Sequence, residues 1–288
     1  THCLSSAASD VYKRQPPNAA VGATLTGTNE TNTTTDFTEL YAPFNSNLND
    51  TSSNAYAGTS GNGAAISSTQ SKFGGYSLAL DGTNDYVRYA SSSLALGSED
   101  FTIEAFIYDT KGGTGYREIV NNYDRNNNGG IPFLFRMKNA NGQLSFSYYT
   151  GSWTHVVTGT GVINENVWHH VAAVRVGDNL TIFIDGVEHG TTDISNFNNT
   201  NARPIEIGSY SEGTASFFGG YIDDVRILKG YGKYRANFSV PTSAVGTSVS
   251  ETVNDLTTLY MPFDLTIPST TVASVSYTHL RAHETVSH

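Results

Sequence analysis

One cysteine stands among 288 residues, and it is the third. A lone thiol builds no disulfide framework and no thiolate zinc site. Charge is scarce: 15% of residues are Asp, Glu, Lys or Arg, against about 25% in an average domain. What charge exists leans acidic, with 26 Asp+Glu against 16 Lys+Arg. No basic stripe is available to neutralise phosphates, which excludes nucleic acid as a partner. No apolar run approaches the ~18 residues of a membrane-spanning helix, so no membrane insertion of that kind is expected. Sustained 3.6-residue periodicity with helix caps is missing too. Methionine and tryptophan occur 2 times each, whereas Tyr 17, Phe 14 and Gly 28 are plentiful.

Alternation of period two fills most of the chain. Phe101, Ile103, Ala105 and Ile107 fall on one face of a run whose other face carries Thr102, Glu104, Phe106 and Tyr108. Similar runs are 78–80, 86–89, 118–121, 132–138, 144–149, 168–176, 180–184, 205–207 and 221–228. Between runs stand Asp81-Gly82, Asn141-Gly142, Gly177-Asp178-Asn179 and Asp185-Gly186. Such pairs supply the positive φ that two-residue hairpins need. About a dozen short strands joined this way predict an all-β fold, two antiparallel sheets packed as a sandwich.

Both ends read as something other than protein. Asp10-Val11-Tyr12-Lys13-Arg14-Gln15 can be written GAT GTG TAT AAG AGA CAG. The reverse complement, in its third frame, encodes Val275-Ser276-Tyr277-Thr278-His279 and opens a codon that Leu280 completes. An inverted repeat at both ends resembles translated sequencing adapter. Residues 1–15 and 275–288 are therefore set aside, and Cys3 goes with them.

The remainder repeats itself. Leu40-Tyr41-Ala42-Pro43-Phe44-Asn45 returns as Leu259-Tyr260-Met261-Pro262-Phe263-Asp264. Upstream of each, Pro17-Asn18-Ala19-Ala20-Val21-Gly22 matches Pro241-Thr242-Ser243-Ala244-Val245-Gly246. The stretches that follow are rich in Thr, Ser and Asn, as connectors are. This predicts a linker and repeat tail over 16–36, a whole domain over 37–240, a linker over 241–257 and the start of a further repeat over 258–274.

Three stretches resemble the laminin G-like branch of the concanavalin A-like lectin/glucanase jelly rolls. They are Lys72-Phe73-Gly74-Gly75-Tyr76-Ser77-Leu78-Ala79-Leu80-Asp81-Gly82 with Asp100-Phe101-Thr102-Ile103-Glu104, then Trp168-His169-His170-Val171-Ala172 with Ile182-Phe183-Ile184-Asp185-Gly186, and Gly220-Tyr221-Ile222-Asp223-Asp224-Val225-Arg226-Ile227. The ending Lys229-Gly230 through Asn237-Phe238-Ser239-Val240-Pro241 is similar to versions in phage virion and marine bacterial surface proteins. The resemblance implies a jelly roll in an extracellular, cell-surface or virion protein. Its expected partners are a glycan or surface polysaccharide and neighbouring repeats of the same chain.

Glucanases of that superfamily set carboxylates at alternate positions of one strand, and retaining enzymes hold two of them about 5–5.5 Å apart. Here Glu104 is followed on its face by Phe106 and Tyr108, while Asp223 and Asp224, being adjacent, are expected on opposite faces. A non-catalytic binding module is the better expectation, with a ligand-free spacer and a glucan hydrolase as alternatives. His169 and His170 face opposite ways on a strand, and Trp168, His170 and Ala172 are expected to form one side of a core strand. Sugar recognition pairs aromatic faces with planar polar groups. Trp153, Tyr148, Tyr149 and His155 cluster on a strand end and loop; Arg125, Asn127 and Tyr210 complete the candidate ligand site. For calcium, Asp81, Asn84, Asp85 and Asp223 are the candidate oxygen ligands. Asp50 joins Asp223 if the first and last strands pair, as the resemblance implies.

Deleting residues 1–15 and 275–288 is expected to leave the melting temperature unchanged. A drop of several degrees on deletion would mean that these ends pack against the domain.

Overall fold

A computed structural model describes residues 36–90, 94–110, 115–123, 132–138, 142–158, 163–200 and 203–249. The two adapter-like ends, the tail at 16–35, the repeat start at 258–274, and Arg125 and Asn127 lie outside these residues.

The described strands are, in order, β1 Thr38–Ala42, β2 Gly58–Gly61, β3 Ala65–Ser67, β4 Ser77–Asp81, β5 Tyr86–Tyr89, β6 Phe101–Asp109, β7 Tyr116–Asn121 and β8 Phe133–Lys138. They continue as β9 Gln143–Tyr149, β10 Trp153–Val157, β11 Trp168–Val176, β12 Asn179–Ile184, β13 Val187–Asp193, β14 Ile205–Ile207 and β15 Gly219–Lys229. One sheet of 8 strands runs β13-β12-β11-β6-β15-β4-β3, with β1 also paired to β15; a second of 7 runs β10-β9-β8-β7-β14-β5-β2. The result is the expected all-β, two-sheet antiparallel jelly-roll sandwich.

The alternation read from the sequence sets the packing. Phe101, Ile103, Ala105 and Ile107 point between the sheets with Val171, Ala173, Ile222 and Ile227, all fully buried. They meet Phe133, Phe135 and Phe146 of the second sheet, where Phe101 and Phe146 rings lie 5.8 Å apart. Each such side chain contributes roughly 1.5–3 kcal/mol of burial. The pairs Gly177-Asp178 and Asp185-Gly186 close the hairpins β11–β12 and β12–β13, with Asp185 (φ 49°) and Gly186 (φ 77°) both in the left-handed conformation. A Cβ on Gly186 would also meet the Phe238 carbonyl, so that position accepts no side chain.

The outer face of the larger sheet is covered as well. Beyond β15 the chain lays Tyr234 and Phe238, stacked at 3.6 Å, over Ala172, Val174 and Phe183 to form a second apolar cluster. Trp168, His170 and Ala172 do share one side of β11, but that side faces this smaller cluster instead of the main core. Beside it lies Glu104, fully buried. Its Oε1 accepts from Arg226 Nε at 2.8 Å and from Nη2 as well. Its Oε2 accepts the Tyr234 hydroxyl at 2.7 Å and lies 3.1 Å from His170 Nε2. Burial alone would raise the Glu104 pKa, but Arg226, with His170 and Lys233, holds it far below the ordinary value.

Alternation fails at one place in β15. Ile222 and Val225 both face the core, so two residues stand between them where one is normal. A bulge, with Asp224 at φ 54° and a register shift opposite β6, absorbs the extra residue. Asp223 and Asp224 therefore share the outer face, contrary to the expectation from adjacency. Asp223 Oδ2 accepts the N–H groups of Lys72 and Phe73; Asp224 accepts the Tyr41 hydroxyl and, at 2.7 Å, the Val245 N–H.

Glu104→Gln leaves the Arg226 guanidinium buried without its counter-charge, a change that typically costs about 3–5 kcal/mol. A clear fall in the urea midpoint at unchanged m-value is expected. An unchanged midpoint would remove the pair from the list of what holds the fold.

Candidate functional site

The outer face of the smaller sheet is built differently. β9 and β10 form a hairpin in which Trp153 pairs with Tyr149, across a turn where Gly151 takes φ 101°. Both rings project outward, Trp153 37% and Tyr149 41% exposed, with centroids 5.4 Å apart. Two residues on, His155 shares that face, its ring 6.4 Å from the Trp153 ring and its Nδ1 2.7 Å from Ser147 Oγ. Burial, and then the Arg136 and Lys138 cations, hold the His155 pKa below its usual value. Tyr148, expected in the site, points the other way. The same alternation sends it into the main core, 1% exposed, with its hydroxyl donating to Asn196 Oδ1 at 2.6 Å.

Tyr210 reaches this face from another direction. The connection from β14 to β15 folds back over the sheet, pinned by Asn121 Nδ2 donating to the Ser209 carbonyl at 2.8 Å. The Glu118 N–H donates to the Ser216 carbonyl, also at 2.8 Å, and Glu206 accepts the Ser209 hydroxyl and the Glu212 N–H. So held, Tyr210 stacks on Tyr123 at 4.4 Å, and Tyr123 lies 6.1 Å from Trp153. Tyr123 is the ring that joins the two groups, and the sequence reading missed it. Its position just past β7, before the polar Arg125–Asn128 stretch, was the available signal.

Tyr123 also borders a small, shallow cleft lined by Arg88, Pro204, Glu206, Ser211 and Glu212. Arg88 and Glu212 form an ion pair at its mouth. Beneath the rings runs a buried polar chain. Glu118 Oε1 lies 3.3 Å from Arg136 Nη1, Arg136 reaches Ser147, and the guanidinium lies over the Tyr116 ring at 3.7 Å. Burial, aided by Glu206 and opposed by Arg136, pushes the Glu118 carboxyl up to about 8. The surface thus offers ring faces flanked by a carboxylate and a guanidinium, the combination that holds an apolar sugar face and its hydroxyl edge.

The calcium candidates are not gathered. Asp81-Gly82, expected to close a hairpin, instead stands where the chain crosses from β4 in the larger sheet to β5 in the smaller, and Asp81 and Asp85 serve that crossing: the Asp81 N–H donates to Asp85 Oδ2 and the Thr83 N–H to Asp81 Oδ1. Asn84 lies in the same turn, its carbonyl accepting from Asn62. Asp223 sits on the outer face of the same larger sheet as Asp81, but four positions along β15 from Gly219, the residue opposite Asp81, and under Lys72 and Phe73. β1 and β15 do pair, yet the Asp50 carboxylate is held by the N–H groups of Tyr41, Ser52 and Tyr56. Among the described residues no group of three or more His, Cys, Asp or Glu could hold a metal ion.

Two antiparallel sheets packed on one shared core, the larger covered on its outer face and the smaller only in part, define a jelly-roll sandwich. The family model for the concanavalin A-like lectin/glucanases superfamily, of the laminin G type, matches residues 81–231, and the chain belongs to that superfamily. Among solved structures it is similar to the binding domain of botulinum neurotoxin serotype G (13% identity, TM-score 0.54), covering 68% of this chain and 48% of that one. It is similar to domain 4 of AbnA, an extracellular arabinanase from Geobacillus stearothermophilus, solved with arabinotriose (17% identity, TM-score 0.53, 66% of this chain and 91% of that one). The botulinum neurotoxin serotype D ligand binding domain, solved with N-acetylneuraminic acid, matches at 14% identity and TM-score 0.53, over 71% of this chain and 48% of that one. The chain spans about half the length of these toxin domains. No curated protein sequence matches it.

An acid whose pKa is higher folded than unfolded stabilises the fold below its unfolded value, near ~4.3 for Glu, and loses that contribution as pH rises to the folded value. For Glu118 the loss is complete above about 8. The melting temperature should therefore fall between pH 5 and pH 8.5. Glu118→Gln, which keeps the shape without the titration, should fall less and exceed the parent at the higher pH. Equal slopes in the two proteins would show that Glu118 ionises freely.

Proposed function

We propose that this domain is a non-catalytic carbohydrate-binding module within a tandem-repeat extracellular or virion surface protein, serving adhesion to a glycan or surface polysaccharide. The observation that carries the reading is the outward-facing group Tyr149, Trp153, Tyr123 and Tyr210 beside the Arg88–Glu212 cleft. A soluble domain that leaves a Trp and a Tyr bare at one sheet edge forgoes their burial, and sugar stacking offsets that loss. Structures of like fold taken with arabinotriose and with N-acetylneuraminic acid support the class of ligand. The non-catalytic reading draws support from the carboxylates. Glu104 and Glu118 are fully buried, and Glu206, at the cleft, has its carboxylate taken up by the Ser209 hydroxyl and the Glu212 N–H.

A screen of neutral and acidic oligosaccharides by calorimetry tests the reading against a spacer without ligand. With a binding glycan in hand, Trp153→Ala should weaken it tenfold or more, about 1.4 kcal/mol, while the melting temperature moves by no more than a few degrees. A loss of ~3–5 kcal/mol of stability instead would mark Trp153 as a packing residue. No binding across the panel would favour the spacer.

A further inference from the structure

The cover on the larger sheet's outer face stops short of one end. Tyr234 and Phe238 lie over Ala172, Val174 and Phe183, and Phe73 meets Phe106 edge-on at 5.1 Å. One row further along the strands, Trp168 of β11, Tyr108 of β6 and Tyr221 of β15 stand side by side, because Tyr108 is the partner of both others. All three are half-buried, with ring centroids 5.5 Å and 5.9 Å apart. Among the described residues their ring contacts are with one another, and neither the two hydroxyls nor the indole N–H makes a hydrogen bond.

Three amphipathic rings with free polar heads suit a sugar, which has apolar faces and hydroxyl edges. An apolar protein surface would leave those heads unpaired. The ring planes are inclined to one another by 57° and 73°. A corrugated row of this kind seats a single glycan chain, whereas the flat face of a crystalline polysaccharide needs coplanar rings. Across its three strands the row spans roughly 10 Å, the length of a disaccharide.

A cation borders the row. Lys72 Nζ lies 5.1 Å from the Phe106 ring centre and makes no ion pair among the described residues. Asp223, opposite Phe106, does not serve as its counter-ion. The Lys72 and Phe73 N–H groups take Asp223 Oδ2, and burial pushes that carboxyl up to about 7. The Lys72 charge is thus left for a ligand to meet.

We propose that the Trp168–Tyr108–Tyr221 row is a second glycan site, which takes a chain bearing carboxylate or sulfate groups and sets one of them against Lys72. This rests on the reading of the domain as a glycan-binding module. The first site lies on the outer face of the opposite sheet, so one domain holds two glycan chains and joins them.

The chain has 2 tryptophans, and each site holds one. Trp153→Phe therefore leaves an emission that reports the second site alone, and Trp168→Phe one that reports the first. The probes are cellohexaose, hexaguluronate and a sulfated galactan hexasaccharide. In Trp153→Phe an acidic probe should shift the Trp168 emission saturably, and cellohexaose should not. Which acidic probe acts tells carboxylate from sulfate, and added salt should weaken the binding. Lys72→Gln should weaken it by about tenfold, the scale of a lost charged contact, with the melting temperature unchanged. Silence of Trp168 toward all three probes overturns the proposal. So does an equal response to cellohexaose that Lys72→Gln leaves unchanged. Failure of the first site shows separately, as a Trp153 emission that no probe moves.

Discussion

The buried contact of Glu104 with Arg226 organises the outer half of this domain. Two charges with no solvent between the sheet and its cover are tolerable only if every remaining polar atom finds a partner. His170 and Tyr234 meet the other carboxylate oxygen, while the Val245 and Gly246 carbonyls take the rest of the guanidinium. These partners come from β11 and from the chain beyond β15, so the network can close only when that chain lies across the sheet. The segment expected to be a connector after residue 240 contributes to it as far as Thr247. The bulge in β15 serves the same arrangement. By turning Asp224 to the face that holds Arg226, it brings Tyr41 of β1 and the Val245 N–H onto one carboxylate.

The two outer faces have different fates for a physical reason. On the larger sheet, Ala172, Val174 and Phe183 leave an apolar field that Tyr234 and Phe238 cover. On the smaller sheet the corresponding rows are Ser145, Ser147, Arg136, Glu118 and Asn121, which bond to one another and to a folded-back loop. That loop spans only part of the width. Where it stops, at Tyr210 and Tyr123, the aromatic edge begins and stays open.

Much of the architecture was legible from the chain alone. The runs 86–89, 168–176 and 205–207 coincide with β5, β11 and β14, because alternating β-branched and aromatic residues fit a half-buried strand and little else. β2 (Gly58–Gly61) and β13 (Val187–Asp193) were not legible. One has almost no side chains to alternate, and the other is a polar edge strand whose residues are mostly exposed. The sequence of β10 gives a loop signal, since Trp153 sits beside Gly151 and Ser152, and only pairing with β9 makes it a strand.

The sequence by itself determined the fold class, the inward set of each long strand and the turn pairs, since period-two burial and positive φ are local demands that individual residues meet or fail. It also placed Trp153, Tyr149 and His155 near one another, because they share a hairpin. Only the tertiary structure decided that Tyr148 belongs to the core, that Tyr123 bridges Trp153 to Tyr210, and that Asp223 stands apart from Asp81 and Asp85. Those outcomes depend on which face a pleat presents after a bulge and on which loop folds back across a sheet. Both are set by contacts between segments far apart in the chain, and no local pattern encodes them.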